Sequence, residues 1–388
     1  MGTMRWVILR PVCMIAFAVI MSACATSSSP IGGSATTPST ADATPLSSSL
    51  PSASGAETPG PSPSPTSSPT SPADALEDVP TAEGALNAIL FADGTVVAGG
   101  FTGATLKSRI LVFHDGSWSV ADVPDAPGQV TGIAQLGDRL VAVGNGLPDI
   151  RTGFIWDSAD GRAWREVQII ENAALYDVIA SNRVAVAIGA LLDAEMNATA
   201  GAWYSTDGAT WKQAKVAASA KTAMGSATTT QEGFVAIGDR PLGVARPFWT
   251  ATSATTWAAL KNDLGEQLLP IDIVQWGDRL AMVGASGKSG DQHPFVALSA
   301  DGRQWDQTNL STDEGYSSAV AVANERLVVA GVDADRLTLW TLREGDWRAE
   351  SHEQSGASIS ALTWDDTWGL VAVGSRDGLQ AVWSFGNQ

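Results

Sequence analysis

Short apolar runs in this chain end on glycine at nearly even spacing. The glycines are Gly99, Gly144, Gly189, Gly238, Gly284, Gly331 and Gly374, separated by 45, 45, 49, 46, 47 and 43 residues. A second marker keeps step with them. Trp118, Trp164, Trp211, Trp257, Trp305 and Trp347 each follow a tight turn and are spaced 46, 47, 46, 48 and 42 residues apart. Each unit is too short to bury an apolar face alone, so neighbouring units must stack on one another.

The second unit displays the grammar. Residues 130–135 read as an inner strand and Gly137-Asp138 as its turn. Residues 139–143 alternate as a second strand that closes on Gly144. A variable loop follows at 145–152, then a third strand at 154–157 and a turn at 158–161, and Trp164 opens a fourth strand. Short period-2 segments bounded by Gly and Asp predict antiparallel hairpins. Four such strands every 40 to 50 residues predict an all-β, seven-bladed β-propeller of four-stranded antiparallel blades.

The turn before the tryptophan recurs as Ser158-Ala159-Asp160-Gly161, Ser205-Thr206-Asp207-Gly208 and Ser299-Ala300-Asp301-Gly302. With Trp164, Trp211 and Trp305 these give three copies of S-x-D-G-x-x-W. The pattern resembles the Asp-box, or BNR, repeat of sialidase-like propellers, with one residue fewer between Asp and Trp. The residues explain themselves physically. Asp accepts backbone N–H bonds inside the turn, Gly permits positive φ, and Trp packs over the hairpin. A residue used once per blade builds the blade, so these six are expected to be scaffold. The third-strand residues Trp156, Trp203, Trp249, Trp340 and Trp383 are expected to pack between blades.

Only six turn-tryptophan units follow the seven glycine-ended strands, and the last repeat stops after its third strand near Phe385. The stretch Glu77-Asp78-Val79-Pro80 parallels Ala121-Asp122-Val123-Pro124, which reads as the outer strand of the first blade and its exit loop. Residues 73–82 are therefore expected to complete the seventh blade, joining the chain ends in one sheet and removing an exposed edge.

Residues 1–23 read as a lipoprotein signal peptide. Arg5 and Arg10 make a basic start, residues 12–21 are a short apolar run, and Met21-Ser22-Ala23-Cys24 resembles a bacterial lipobox. That resemblance implies cleavage before Cys24 and its diacylation. Residues 24–72 hold the lipidated cysteine and a linker of mostly Ser, Thr, Pro, Ala and Gly, a composition expected to stay disordered. As a coil of this length it reaches roughly 40 Å. The propeller is assigned to 73–388. Removing Arg5 and Arg10 takes the formal charge from −18 to −20 and leaves Cys24 as the only cysteine. So acidic a body argues against nucleic acid as a partner. An extracytoplasmic, lipid-anchored monomer is expected.

Irregular loops carry function on a rigid scaffold. The stretches joining second to third strands hold Lys107, Arg109, Arg151, Arg240, Arg246, Lys288, Arg336 and Arg376, beside a comparable number of acids. Arginine there could hold an anionic or zwitterionic ligand. Against this stands the simpler reading of charges that solvate loops.

Sialidase chemistry requires three arginines on the ligand carboxylate, a tyrosine nucleophile with a glutamate partner, and an acid/base aspartate. After cleavage the tyrosines are Tyr176, Tyr204 and Tyr316, and the family's site cannot be matched residue by residue. His114, His293 and His352 are scattered, so neither a metal nor a cofactor is expected. The leading expectation is a non-catalytic module binding an unknown protein or glycan. A sialidase-like glycoside hydrolase and an assembly factor for a membrane complex are the alternatives.

Overall fold

A computed structural model describes residues 76, 78–103, 105–125, 127–217, 221–239 and 246–386. Blade one contains β1 (Gly84–Ala92), β2 (Thr95–Thr102), β3 (Lys107–His114) and β4 (Ser117–Val120). Blade two contains β5 (Gln129–Leu136), β6 (Arg139–Asn145), β7 (Thr152–Ser158) and β8 (Arg165–Glu171). Blade three contains β9 (Ala173–Ala180), β10 (Ala185–Leu192), β11 (Ala198–Ser205) and β12 (Lys212–Gln213). The two-residue β13 (Lys215–Val216) then leads to blade four, made of β14 (Ala223–Thr230), β15 (Gly233–Asp239), β16 (Phe248–Ser253) and β17 (Thr256–Leu260). Blade five contains β18 (Leu268–Trp276), β19 (Arg279–Lys288), β20 (Asp291–Ser299) and β21 (Asp306–Asn309). Blade six contains β22 (Gly315–Ala323), β23 (Arg326–Asp333), β24 (Arg336–Arg343) and β25 (Asp346–His352). Blade seven contains β26 (Ala357–Asp365), β27 (Gly369–Arg376) and β28 (Leu379–Ser384).

The molecule is a seven-bladed, all-β propeller. Consecutive strands in each blade pair antiparallel, from the inner strand outward. Two blades depart from four strands. In blade four, β13 adds to β17 in parallel, so the chain leaving blade three laces onto its neighbour. Blade seven has three named strands, and Glu83, just before β1, forms an antiparallel bridge with Leu379 of β28. The Gly84 N–H donates to the Gly378 carbonyl and the Gln380 N–H to the Ala82 carbonyl, each at 2.9 Å. Of the expected closing segment 73–82, residues 73–75 and 77 lie outside the described residues. Leu76 is fully buried beside Val371, Val373 and Val382 of blade seven, with Val79 packed against the same cluster.

The register explains the repeat. Every inner strand carries a β-bulge, for example between Val130 and Gly132 of β5 and between Ser317 and Ala319 of β22. The residue just before each bulge pairs with the glycine of the second strand, as Val130 does with Gly144 and Ser317 with Gly331. The bulge presses the inner backbone onto that glycine. A Cβ at Gly144 would sit on the carbonyl of Gln129, and one at Gly331 on that of Tyr316. Close backbone approach at a bulge selects glycine. In blade one the register corrects the sequence-based choice: Gly100, not Gly99, pairs with Leu86 and meets the Ala85 carbonyl. Gly99 instead faces Val130 and Ile133 of blade two.

The apolar core lies between blades. Val97, Val112 and Ile110 of blade one pack with Val130, Phe154 and Trp156 of blade two. The third-strand tryptophans Trp156, Trp203, Trp249, Trp340 and Trp383 are all buried. No helix among the described residues is long and apolar enough to cross a membrane.

Candidate functional site

The three S-x-D-G-x-x-W turns fold alike. In blade two, the Ser158 hydroxyl oxygen accepts the Gly161 N–H at 2.9 Å, and Asp160 Oδ1 accepts the N–H groups of Arg162 and Ala163 at 2.9 and 3.1 Å. Trp164 Nε1 donates to the Gly161 carbonyl at 2.7 Å. Asp207 and Trp211 in blade three, and Asp301 and Trp305 in blade five, repeat each of these bonds. Backbone N–H bonds hold all three carboxyls below the usual range, Asp207 at about 2, where the Thr210 N–H is the largest cause. In each turn Oδ1 of the aspartate bonds within its own hairpin.

Next to the turn of blade two lies an ion cluster around a buried carboxylate. Asp157, with a fully buried side chain, takes Arg165 Nε at 2.6 Å and also contacts Arg139 Nη2. Burial pushes its carboxyl up, but the bonds and charges of Arg165 and Arg139 outweigh this and leave it low.

These turns lie on the lower face, with the turns joining first to second strands. The opposite, upper face carries the loops between second and third strands. The eight basic residues expected there divide sharply. Lys107 and Arg109 belong to strand β3 rather than to a loop. Lys107 pairs with Asp125 at 2.6 Å on the surface. Arg109 is half-buried, opposite Gly100, and burial pulls its guanidinium below its ordinary value. Arg151 caps the neighbouring loop of blade three: Nη2 donates to the carbonyls of Asp193 and Ala194 at 3.2 and 2.7 Å. Arg246 is 2% exposed, with Nε on the Leu268 carbonyl of blade five at 3.2 Å. Candidacy as a ligand-facing arginine is therefore corrected for Arg246, which is buried between blades, and for Arg151, which holds a loop. Lys288, Arg336 and Arg376 are exposed at strand ends beside tight turns and form no salt bridge among the described residues. Arg240 and Cys24 lie outside the described residues.

The blades surround a central cavity of about 140 Å³, lined by inner-strand residues including Asn87, Thr131, Asp177, Ser226, Asp272 and Ser318. The two acids were missed in the sequence. Asp177 Oδ2 accepts the Ala227 N–H of blade four at 3.2 Å. Asp272 accepts the Ser226 hydroxyl of blade four at 2.9 Å and the Val320 N–H of blade six at 3.0 Å. They stitch blades three to six around the axis. The only available signal was an acid inside an apolar inner strand, as in Tyr176-Asp177-Val178 and Ile271-Asp272-Ile273. Tyr176 is buried among Ile150, Ala174 and Leu192, and burial pushes the Tyr316 hydroxyl up. Among the described residues no group of three His, Cys, Asp or Glu could hold a metal ion.

No family model and no curated protein matches this chain. Solved structures do match in fold. One described as YCF48 bound to D1 peptide superposes with a TM-score of 0.55 at 14% identity, covering 79% of this chain and 93% of that one. The β-propeller domain of the trilobed protease from Pyrococcus furiosus gives 0.51 at 9% identity, covering 79% and 97%. The RRP9 WD40 repeats give 0.51 at 13% identity, covering 74% and 86%. At these identities the likeness is one of fold.

Proposed function

We propose that this chain is a non-catalytic binding module of BNR type. It is tethered outside the cytoplasm by lipid on Cys24, and it holds a segment of a protein partner across its upper face. One observation carries the reading: the repeated residues are used by the scaffold, while the upper face keeps Lys288, Arg336 and Arg376 exposed and unbridged at the ends of second and third strands. Rigid scaffolds with variable loops are where binding concentrates. The similarity in fold to YCF48 bound to D1 peptide favours a peptide over a glycan as ligand.

Cross-linking on intact cells, followed by identification of the captured chain, tests it. Reversing the charge of Lys288, Arg336 and Arg376 together is expected to abolish capture. Asp207→Asn on the lower face should leave it intact. Turnover of an aryl glycoside that vanishes with one upper-face acid would overturn the reading in favour of a sialidase-like hydrolase. Cys24→Ala should release the protein from the membrane fraction and remove incorporated palmitate.

A further inference from the structure

The residue just past the β-bulge stands at an equivalent place in all seven inner strands. In blades one, two, four, six and seven it is small: Ala88, Gly132, Ser226, Ala319 and Ala361. In blades three and five it is an acid, Asp177 or Asp272. The small residues leave the axial cavity of about 140 Å³ open, and both acids line it. Its other polar lining is hydroxyl or amide, from side chains such as Asn87, Thr131 and Ser318, and no Lys, Arg or His takes part.

The two carboxylates close on one dipeptide of blade four from either side. Asp272 Oδ1 accepts the Ser226 hydroxyl at 2.9 Å, and Asp177 Oδ2 accepts the N–H of the next residue, Ala227, at 3.2 Å. Two carboxylates in one cavity repel unless a proton or a cation stands between them. Asn87 of blade one gives an independent sign. It is 6% exposed, and its Nδ2 donates to the Val130 carbonyl at 3.0 Å and to Gln129 Oε1 at 3.3 Å. Its Oδ1 accepts no hydrogen bond among the described residues. A buried amide oxygen left in this way is costly until a donor or a cation meets it.

We infer that the axial cavity binds a hydrated divalent cation, held by Asp177 and Asp272 and completed by the neutral oxygens of Asn87 and Ser226. No third acid is needed, because carboxylate, amide, hydroxyl and water oxygens together make the hard set that calcium takes. Asp177 and Asp272 keep their bonds to neighbouring blades, as metal-bound carboxylates do. The ion ties blade one to blades three, four and five across the axis. This site is separate from the upper face and does not depend on the function proposed for it.

Calcium chloride titrated calorimetrically into the chelator-treated whole chain tests the inference. A background of potassium chloride screens the many surface acids. One saturable site is expected, and the melting temperature should rise with calcium. Asp177→Asn and Asp272→Asn should each weaken binding at least tenfold. Both also alter contacts with blade four, so Ala361→Lys is the deciding variant. It leaves both acids in place and brings a tethered ammonium into the cavity from blade seven. It should abolish the calcium site and the calcium-dependent rise, while the calcium-free protein melts no lower than the parent. A parent chain with no saturable site, or a site that survives Ala361→Lys, overturns the inference. So does a carboxyl proton shared by Asp177 and Asp272 that calcium does not displace in NMR titration, since a proton rather than a metal ion would then hold the pair.

Discussion

Blade two and blade seven occupy equivalent places in one ring and are held by different means. Blade two has four strands of its own, a complete Asp-box turn and an ion cluster on buried Asp157, all within 43 residues of sequence, from 129 to 171. Blade seven has three named strands, no such turn among the described residues, and backbone bonds to Ala82 and Gly84 at the start of blade one. One blade is built by local chemistry and the other by a contact between residues some 300 positions apart, such as Ala82 with Gln380. A long-range contact is formed late and at high entropic cost, so the ring should be most sensitive there.

Deleting residues 73–82 attacks that contact and carries the largest expected effect. It removes fully buried Leu76 and the carbonyl that accepts the Gln380 N–H. Burial of one leucine with a backbone bond amounts to about 3 to 4 kcal/mol. The melting temperature of the whole domain should fall in one cooperative transition, while deletion of 25–70 leaves it unchanged. An unaltered melt after the first deletion would remove the contrast between the two blades.

Asp157→Ala attacks blade two instead. It strands two guanidiniums around an empty place. Breaking a fully buried pair costs more, but Arg139 and Arg165 are 32% and 64% exposed and can hydrate, so about 2 to 3 kcal/mol is expected. Adding Arg165→Ala should recover part of the loss. Denaturant midpoints that shift equally for the single and double variants would show that the cluster is not coupled.

The third change compares like with like. Gly144→Ala sets a methyl on the Gln129 carbonyl, and Gly374→Ala sets one on the Ser358 carbonyl. Overpacking of this kind costs about 2 kcal/mol. The three-stranded blade should yield more easily, so Gly374→Ala is expected to destabilise less. The reverse order in urea midpoints would mean that blade seven is as rigidly backed as blade two.

These residues also mark how far the sequence could be read. The repeat was legible because glycine, turn and tryptophan are local and recur, so the number of blades and their strand order followed from spacing. Gly99 was chosen over Gly100 because both end the same apolar run, and only the bulge at Asn87 decides which one meets the inner carbonyl. Arg151 and Arg246 looked like ligand residues because sequence places them in variable stretches, while their partners, the Ala194 and Leu268 carbonyls, belong to the next blade.

The smallest effect concerns the turns that only some blades possess. Asp160, Asp207 and Asp301 all titrate below an ordinary carboxyl, with Asp207 at about 2. An unfolded aspartate titrates near ~3.9. The folded value is depressed, so the stabilising contribution is complete above the unfolded pKa and is lost as pH falls through about 2 for Asp207. These carboxyls are exposed, so solvent screens each contribution and the effect is modest. Asp207→Asn keeps an oxygen that can accept the Ala209 and Thr210 N–H bonds but cannot titrate. Its melting temperature should sit slightly below that of the parent at pH 7 and meet it near pH 2. Parallel pH profiles for Asp207→Asn and the parent would mean that the Asp-box turns add nothing to acid stability, and would erase this difference between the complete blades and the last one.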